Sequence, residues 1–433
     1  MDNKKRFRIW EPFIVAIAAS IGLLAGYKMN FANNDVALLQ VNGHETGISS
    51  DGRIEEILRF VESNYVDSLN QNEITVDAIV HILKQLDPHS SYVTPEEYNE
   101  HNERMEGKYQ GVGIETIKLR DTFFITRTIP DGPADKAGLS IGDAILSIED
   151  QMLAGNESSF DDMRQYFNGE KGIDKIKLKY ENLARQTELI TDLSPSDIII
   201  PSANQSYLVD NKTAYIKLSR FSSNTYEQFM KSLEVLMEGR DNINLIIDLR
   251  NNPGGYLPEA IKILCQFFEE KNKLLTFTEG LHRKKAEYKT TGKVFYAIDK
   301  IAVLTNNNSA SGSEILAGAI QDWDRGVVIG QSTYGKGLVQ QVFPLNNGGA
   351  LRLTVAKYYT PSGRLIQKSY SSISEDFIAD TAVYETKLLN RKVDGGGGVD
   401  PDYEIAEPSK NSCYEYEDYL DFYLIDLMRN LIL

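Results

Sequence analysis

At 433 residues and 42% hydrophobic side chains the chain can bury more than one core, so two or three domains are expected. Its 62 acidic against 46 basic residues, a formal charge of -16, exclude nucleic acid as a partner, because phosphate binding needs clustered Lys and Arg. Two cysteines, Cys265 and Cys413, are too few for a disulfide framework and lack metal-site spacing; Cys265, in an apolar stretch, reads as a small core residue.

Lys4, Lys5, Arg6 and Arg8 precede an almost uncharged run over residues 13–27, the pattern of an export signal whose basic end stays in the cytoplasm. The run is slightly short for a spanning helix, but Trp10 and Met29 can extend it and no small-x-small cleavage site follows. Residues 1–30 are therefore read as an uncleaved signal anchor in preference to a cleaved signal peptide, which places the remainder outside the cytoplasm, in a periplasm or at the cell exterior. Residues 31–50, polar and rich in Asn and Gly, form a linker. Ile54, Ile57, Leu58 and Val61, then Val76, Ile79, Val80 and Leu83, fall at helical spacing until Asp87-Pro88 breaks the pattern, so residues 51–105 are a helical segment.

From 106 to 190 short strands alternate with glycine turns. Gly111, Val112, Gly113 and Ile114 lead into a strand, PADKAGL (133–139) closes a short helix on glycine, and GDAILSIED (142–150) is turn and strand. A helix over 160–167 and a strand over 176–180 follow, an order that resembles a PDZ domain. Over 191–408 buried strands at 214–218, 245–249, 301–304 and 327–329 alternate with helices at 225–237, 257–268 and 314–323, the pattern of an α/β core covered on both sheet faces. The run Gly395, Gly396, Gly397, Gly398 reads as a flexible turn.

Three clusters carry chemistry. NSASGSE (308–314) lies between a strand and a helix, where a hydroxyl can project while helix-start amides face a developing anion; taken alone, it reads more readily as helix capping. GQSTYGKG (330–337) is close to a phosphate-binding P-loop, but Gly337 has no hydroxyl for Mg²⁺ and a strand-like segment follows where a helix is needed. A nucleotide hydrolase is set aside on those grounds. His44, His81, His89 and His101 all precede the PDZ-like segment and His282 sits in a basic stretch, so no histidine stands ready as a base. A lysine can serve if burial keeps it neutral, and Lys336 between two glycines is the best placed. DLRNNPGG (248–255) ends a buried strand with two glycines, as suits either an oxyanion site or a simple turn.

These clusters, with LDPHSSYVTPEE (86–97), YIKLSRF (215–221), TPSGRLI (360–366) and GGVDPD (397–402), resemble the carboxyl-terminal processing, or tail-specific, serine proteases over roughly residues 53–402. The resemblance implies an α/β core of the ClpP/crotonase-like kind, a small, mostly β PDZ domain and an N-terminal helical segment. It places the nucleophile on Ser311, the general base on Lys336 and the glutamine that assists it on Gln340. The oxyanion donors become the amides of Gly255 and Gly312, a position that usually holds alanine in the family. Gly111, Val112, Gly113 and Ile114 would bind the substrate tail, and the partners would be proteins with accessible, apolar C-termini, without metal or other cofactor. A family arginine near Asn168 is missing, so its substrate-sensing role does not transfer. Assembly of copies through residues 51–105, and a docking role for the acidic tail 409–433, are further expectations. The competing reading is a catalytically inactive scaffold that only binds peptides.

Overall fold

The computed structural model describes residues 52–155, 157–169, 171–369 and 380–406. The expected anchor and linker, Cys413 and the acidic tail lie outside the described residues. No helix among the described residues is long and apolar enough to cross a membrane.

The chain divides after Thr75 into two compact units. In the first, α1 (Arg53–Asn64) forms on the expected spacing but buries none of its residues, leaving Ile54, Ile57 and Phe60 exposed. The second unit begins within α2 (Gln71–Lys84), which the Asp87-Pro88 turn follows. The segment expected to be helical then supplies a strand, β1 (Ser91–Val93). In α3 (Pro95–Glu106), Thr94 Oγ1 accepts from the Glu97 amide, Glu97 accepts from the Thr94 amide and Pro95 fills the first turn.

After β2 (Lys108–Gly111) comes the PDZ-like sheet: β3 (Ile114–Leu119), β4 (Thr122–Thr128), α4 (Pro133–Lys136), β5 (Ala144–Ile148), β6 (Gln151–Met152), α5 (Phe160–Phe167), β7 (Ile176–Asn182) and β8 (Thr187–Leu193). The strand order is β3-β4-β5-β7-β8, with β6 on β5. Alternate residues Phe123 and Ile125, Ile145, and Ile176 and Leu178 point into its core, as period-two patterning requires. β9 (Ser196–Ile199) returns to pair with β2, so both ends of this domain leave through one two-stranded ribbon.

The remaining elements are β10 (Ala203–Leu208), β11 (Thr213–Leu218), α6 (Thr225–Met237), β12 (Asn242–Asp248), α7 (Leu257–Leu264), β13 (Leu274–Gly280), β14 (Arg283–Lys289), β15 (Ala297–Thr305), α8 (Gly312–Asp322), β16 (Val327–Gly330), β17 (Leu338–Pro344), β18 (Ala350–Tyr359), β19 (Val383–Glu385), β20 (Lys392–Asp394) and β21 (Tyr403–Glu404). One sheet runs β10-β11-β12-β15-β16-β21 and is parallel from β11 onward. In the other, β18 pairs with β17 along one edge and with β1 and β13 along the opposite edge. α8, made of small and apolar residues with only Glu314 and Asp322 charged, is buried along its whole length. Cys265 is buried, as expected.

The glycine run is packed, not loose. A Cβ on Gly396 would sit 2.3 Å from the Asp380 carbonyl oxygen, and one on Gly398 would sit 2.6 Å from that of Thr333. The run passes under the lysine loop, and close backbone approach is what its glycines supply.

Candidate active site

Parallel pairing puts Asp248, the last residue of β12, beside Leu304 near the end of β15. The loops after these strands therefore meet at the carboxyl ends of a parallel sheet, where α/β folds place their ligand sites. They are stitched together by serines: Ser309 Oγ donates to the Leu249 carbonyl at 2.8 Å and Ser313 Oγ to the Asn252 carbonyl at 3.0 Å, both fully buried. Ser311 stands apart from these two. It is partly exposed and has φ 54° and ψ -111°, a strained backbone for a residue with a side chain that costs about 1–3 kcal/mol.

Glu314 holds that strain in place. Its carboxylate, fully buried, accepts from the Ser311 amide at 2.7 Å, the Gly335 amide at 2.7 Å, the Lys336 amide at 2.9 Å and Thr333 Oγ1 at 2.6 Å. One side chain thus ties the serine turn to the lysine loop. Burial pushes its pKa up, against the pull of these donors. A direct bond from the Tyr334 amide to the Ser309 carbonyl, 3.0 Å, joins the same loops, and the buried Tyr358 hydroxyl donates to the Lys336 carbonyl. Sequence reasoning missed the roles of Glu314, Thr333 and Tyr358; the available signal was an acidic residue in the first turn of a helix made mostly of small and apolar residues.

Lys336 sits between Gly335 and Gly337 because the segment 367–368 presses on both: an added Cβ would lie 2.7 Å from Lys368 Cβ and 2.9 Å from the Gln367 amide nitrogen, respectively. Its Nζ donates to Gln340 Oε1 at 2.8 Å, so the structure brings these two expected residues together. Burial, then the Arg352 guanidinium, pushes the Lys336 ammonium below its ordinary pKa, while Glu314 and Asp87 pull the other way. Histidines are nearer than their sequence positions suggested, since Lys336 contributes to lowering the pKa of both His89 and His101, after burial in each case. His89 also accepts a hydrogen bond at the site, its main-chain carbonyl receiving Gln340 Nε2 at 2.6 Å.

In the loop after β12, Gly254 (φ 94°) touches the serine turn: a Cβ there would be 2.6 Å from the Ala310 oxygen and 2.8 Å from the Gly312 nitrogen. Gly255 (φ 141°) is locked by Phe221, whose carbonyl accepts from the Tyr256 amide at 2.7 Å and would stand 2.0 Å from an added Cβ. Upstream, buried Asp248 accepts from Tyr215 Oη at 2.6 Å and from Arg250. Burial alone would raise the Asp248 pKa, but the hydrogen bonds from Arg250 and Tyr215 hold it below the usual carboxylate range.

Gly111, Val112, Gly113 and Ile114 line a groove of about 940 Å³ together with α5 residues Met163, Phe167 and Arg164 and with α3. The carbonyls of Val112 and Gly113 are taken by the Ala134 and Ile129 amides. Asn168 lies in the lining, and Arg164, one turn earlier, reaches Glu100 of α3 at 3.0 Å.

Comparison with known proteins finds the description Peptidase family S41 over residues 212–378 and PDZ domain over residues 102–179. The carboxy-terminal-processing protease of Bartonella bacilliformis (strain ATCC 35685 / KC583 / Herrer 020/F12,63) is 32% identical over 336 residues, 76% of this chain and 75% of that protein. Carboxy-terminal processing protease CtpB of Bacillus subtilis (strain 168) is 30% identical over 320 residues, 73% of this chain and 65% of the Bacillus protein's length. Among solved structures, the photosystem II D1 C-terminal processing protease matches with a TM-score of 0.42 and 24% identity, covering 83% of this chain and 94% of that one.

Proposed function

Because the chain belongs to the carboxy-terminal processing serine proteases of peptidase family S41, we propose that it is an exported endopeptidase that cleaves proteins near accessible, apolar C-termini through Ser311 and Lys336. The observation that supports the reading is that the amides of a strained, partly exposed Ser311 and a partly buried Lys336 are both held by the single carboxylate of Glu314. Lys336 in its neutral form takes the Ser311 proton, and the alkoxide attacks the peptide carbonyl. The Gly255 and Gly312 amides receive the oxyanion. Lys336 then protonates the leaving amine and activates the water that hydrolyses the acyl-enzyme, while Gln340 fixes its ammonium.

The groove beside Gly111, Val112, Gly113 and Ile114 receives the substrate tail, which adds as a strand to β3, the open edge of the PDZ sheet. The basic cluster and apolar run at the N-terminus would hold the enzyme on the membrane with the catalytic part outside the cytoplasm; recovery of the full chain from the soluble fraction of disrupted cells would refute this.

Purified Ser311→Ala and Lys336→Ala should each lose cleavage of an unstructured, apolar-tailed peptide while melting as the wild type does. Undiminished cleavage by either would sink the mechanism.

A further inference from the structure

Gln340 faces a choice that its own strand does not settle. Its amide has an accepting and a donating end, and only the accepting end serves an ammonium. A half-turn of the amide would set NH₂ against the Lys336 Nζ. What selects the productive orientation is a carbonyl 251 positions earlier in the chain, that of His89, which takes Gln340 Nε2 at 2.6 Å.

That carbonyl is itself held. Asp87, 7% exposed, accepts through Oδ1 from the His89 and Ser90 amides, each at 2.8 Å, and through Oδ2 from Ser90 Oγ at 2.6 Å. Such a carboxylate-closed turn fixes the direction of the carbonyls within it. Ser90 Oγ accepts in turn from the Thr354 amide of β18 at 3.2 Å, and β1 continues along that strand with Ser91 opposite Arg352 and Val93 opposite Ala350. β17 lies on the other edge of β18 and brings Gln340 opposite Thr354, immediately after a register shift at Val339. An irregularity of this kind re-aims a side chain. β18 thus sets the spacing between the turn and Gln340.

We propose that the turn 87–90, anchored by β1, is a positioning element of the catalytic centre that holds the Gln340 amide, and through it Lys336, in the productive orientation. The inference rests on the Ser311–Lys336 reading. Asp87 is a positioning residue, since its hydrogen bonds act through the His89 carbonyl and Gln340. Its charge, which also raises the Lys336 pKa, is lost alike in Asp87→Ala and Asp87→Asn, so the comparison of the two isolates the positioning.

The test is a double-mutant cycle on the full chain with an unstructured, apolar-tailed peptide as substrate. Asp87→Ala should lower kcat about 10- to 100-fold with KM within about twofold, the size expected of misplaced catalytic groups. Asp87→Asn, which keeps Oδ1 as an acceptor for both amides, should recover most of that loss. In a Gln340→Ala background, Asp87→Ala should cost less than about twofold more, because both changes act on one unit. An equal fold-loss in both backgrounds, or Asp87→Asn as weak as Asp87→Ala, overturns the inference. Where Asp87→Ala does not fold, Ser90→Ala takes its place in the same cycle with the same two outcomes. Lys336→Ala separates the two levels of the argument. If it cleaves, the dyad reading fails; if it is dead and the cycle is additive, this inference alone fails.

Discussion

Glu314 gives the residue scale its sharpest feature. Two carboxylate oxygens accept from the Ser311, Gly335 and Lys336 amides and from the Thr333 hydroxyl, a set of donors that no neutral isostere can satisfy. In Glu314→Gln an NH₂ must confront at least one of them, and the serine turn and lysine loop part. Cleavage measured as kcat/KM is expected to fall about 10²-fold, as for displaced catalytic groups; activity within threefold of wild type would remove Glu314 from the account. Lys336 supplies a pH prediction. In its proposed role as base it acts only when neutral, so activity is expected to rise with pH through its pKa, which burial and then Arg352 lower, against Glu314 and Asp87. Arg352→Gln relieves the repulsion, stabilises the ammonium and should move the acid limb of the kcat/KM profile to higher pH. A limb that stays or moves down would contradict this. The same substitution also relieves His101, whose pKa is lowered by burial and then by Arg352, and the Lys336 charge in turn lowers both His89 and His101.

At the scale of elements, the loops after β12, β15 and β16 come together at the candidate site, and glycines decide how closely the first two approach. Gly254 has no room for a Cβ, because its obstacles at 2.6 and 2.8 Å are backbone atoms of the serine turn, whereas Gly312 would meet only the Phe221 ring at 3.2 Å. Gly254→Ala should therefore lower the melting temperature and abolish cleavage. Gly312→Ala, gaining about 0.5–1 kcal/mol of helix preference against a small ring shift, should melt within a few degrees of wild type. Equal melting temperatures for the two variants would contradict the packing argument. Ser311 was legible from a motif at a strand–helix boundary, Lys336 from a glycine loop between two strands and Gln340, within β17, only from the family resemblance. Their partners were not. Glu314 reaches residues about twenty positions away, and the His89 carbonyl reaches Gln340 only because β1 pairs with β18, a long-range match that local periodicity cannot carry. The same pairing brings His89 and His101 toward Lys336, which order along the chain had kept apart. The run from Gly395 to Gly398 looked loose for a similar reason, since its packing partners, Asp380 and Thr333, come from elsewhere in the chain.

At the scale of the whole molecule, the α/β core and the PDZ-like sheet were readable as a change in period along the sequence, and the two matched descriptions fall on them. Their division of labour gives a separate prediction. On the proposed docking of a substrate tail's carboxylate beside Gly111, Val112, Gly113 and Ile114, amidating a peptide's C-terminus should raise KM about tenfold, the worth of a charged hydrogen bond, and leave kcat nearly unchanged. An unchanged KM would make the groove a docking surface of another kind. The central claim remains the pairing of Ser311 with Lys336, and an activated peptide ester tests it most directly, with the labelled residue identified by mass spectrometry after a short incubation. The account predicts an acyl group on Ser311 of the wild type, much slower labelling in Lys336→Ala and none in Ser311→Ala. Acylation at another residue, or labelling of Ser311→Ala at the wild-type rate, would contradict it.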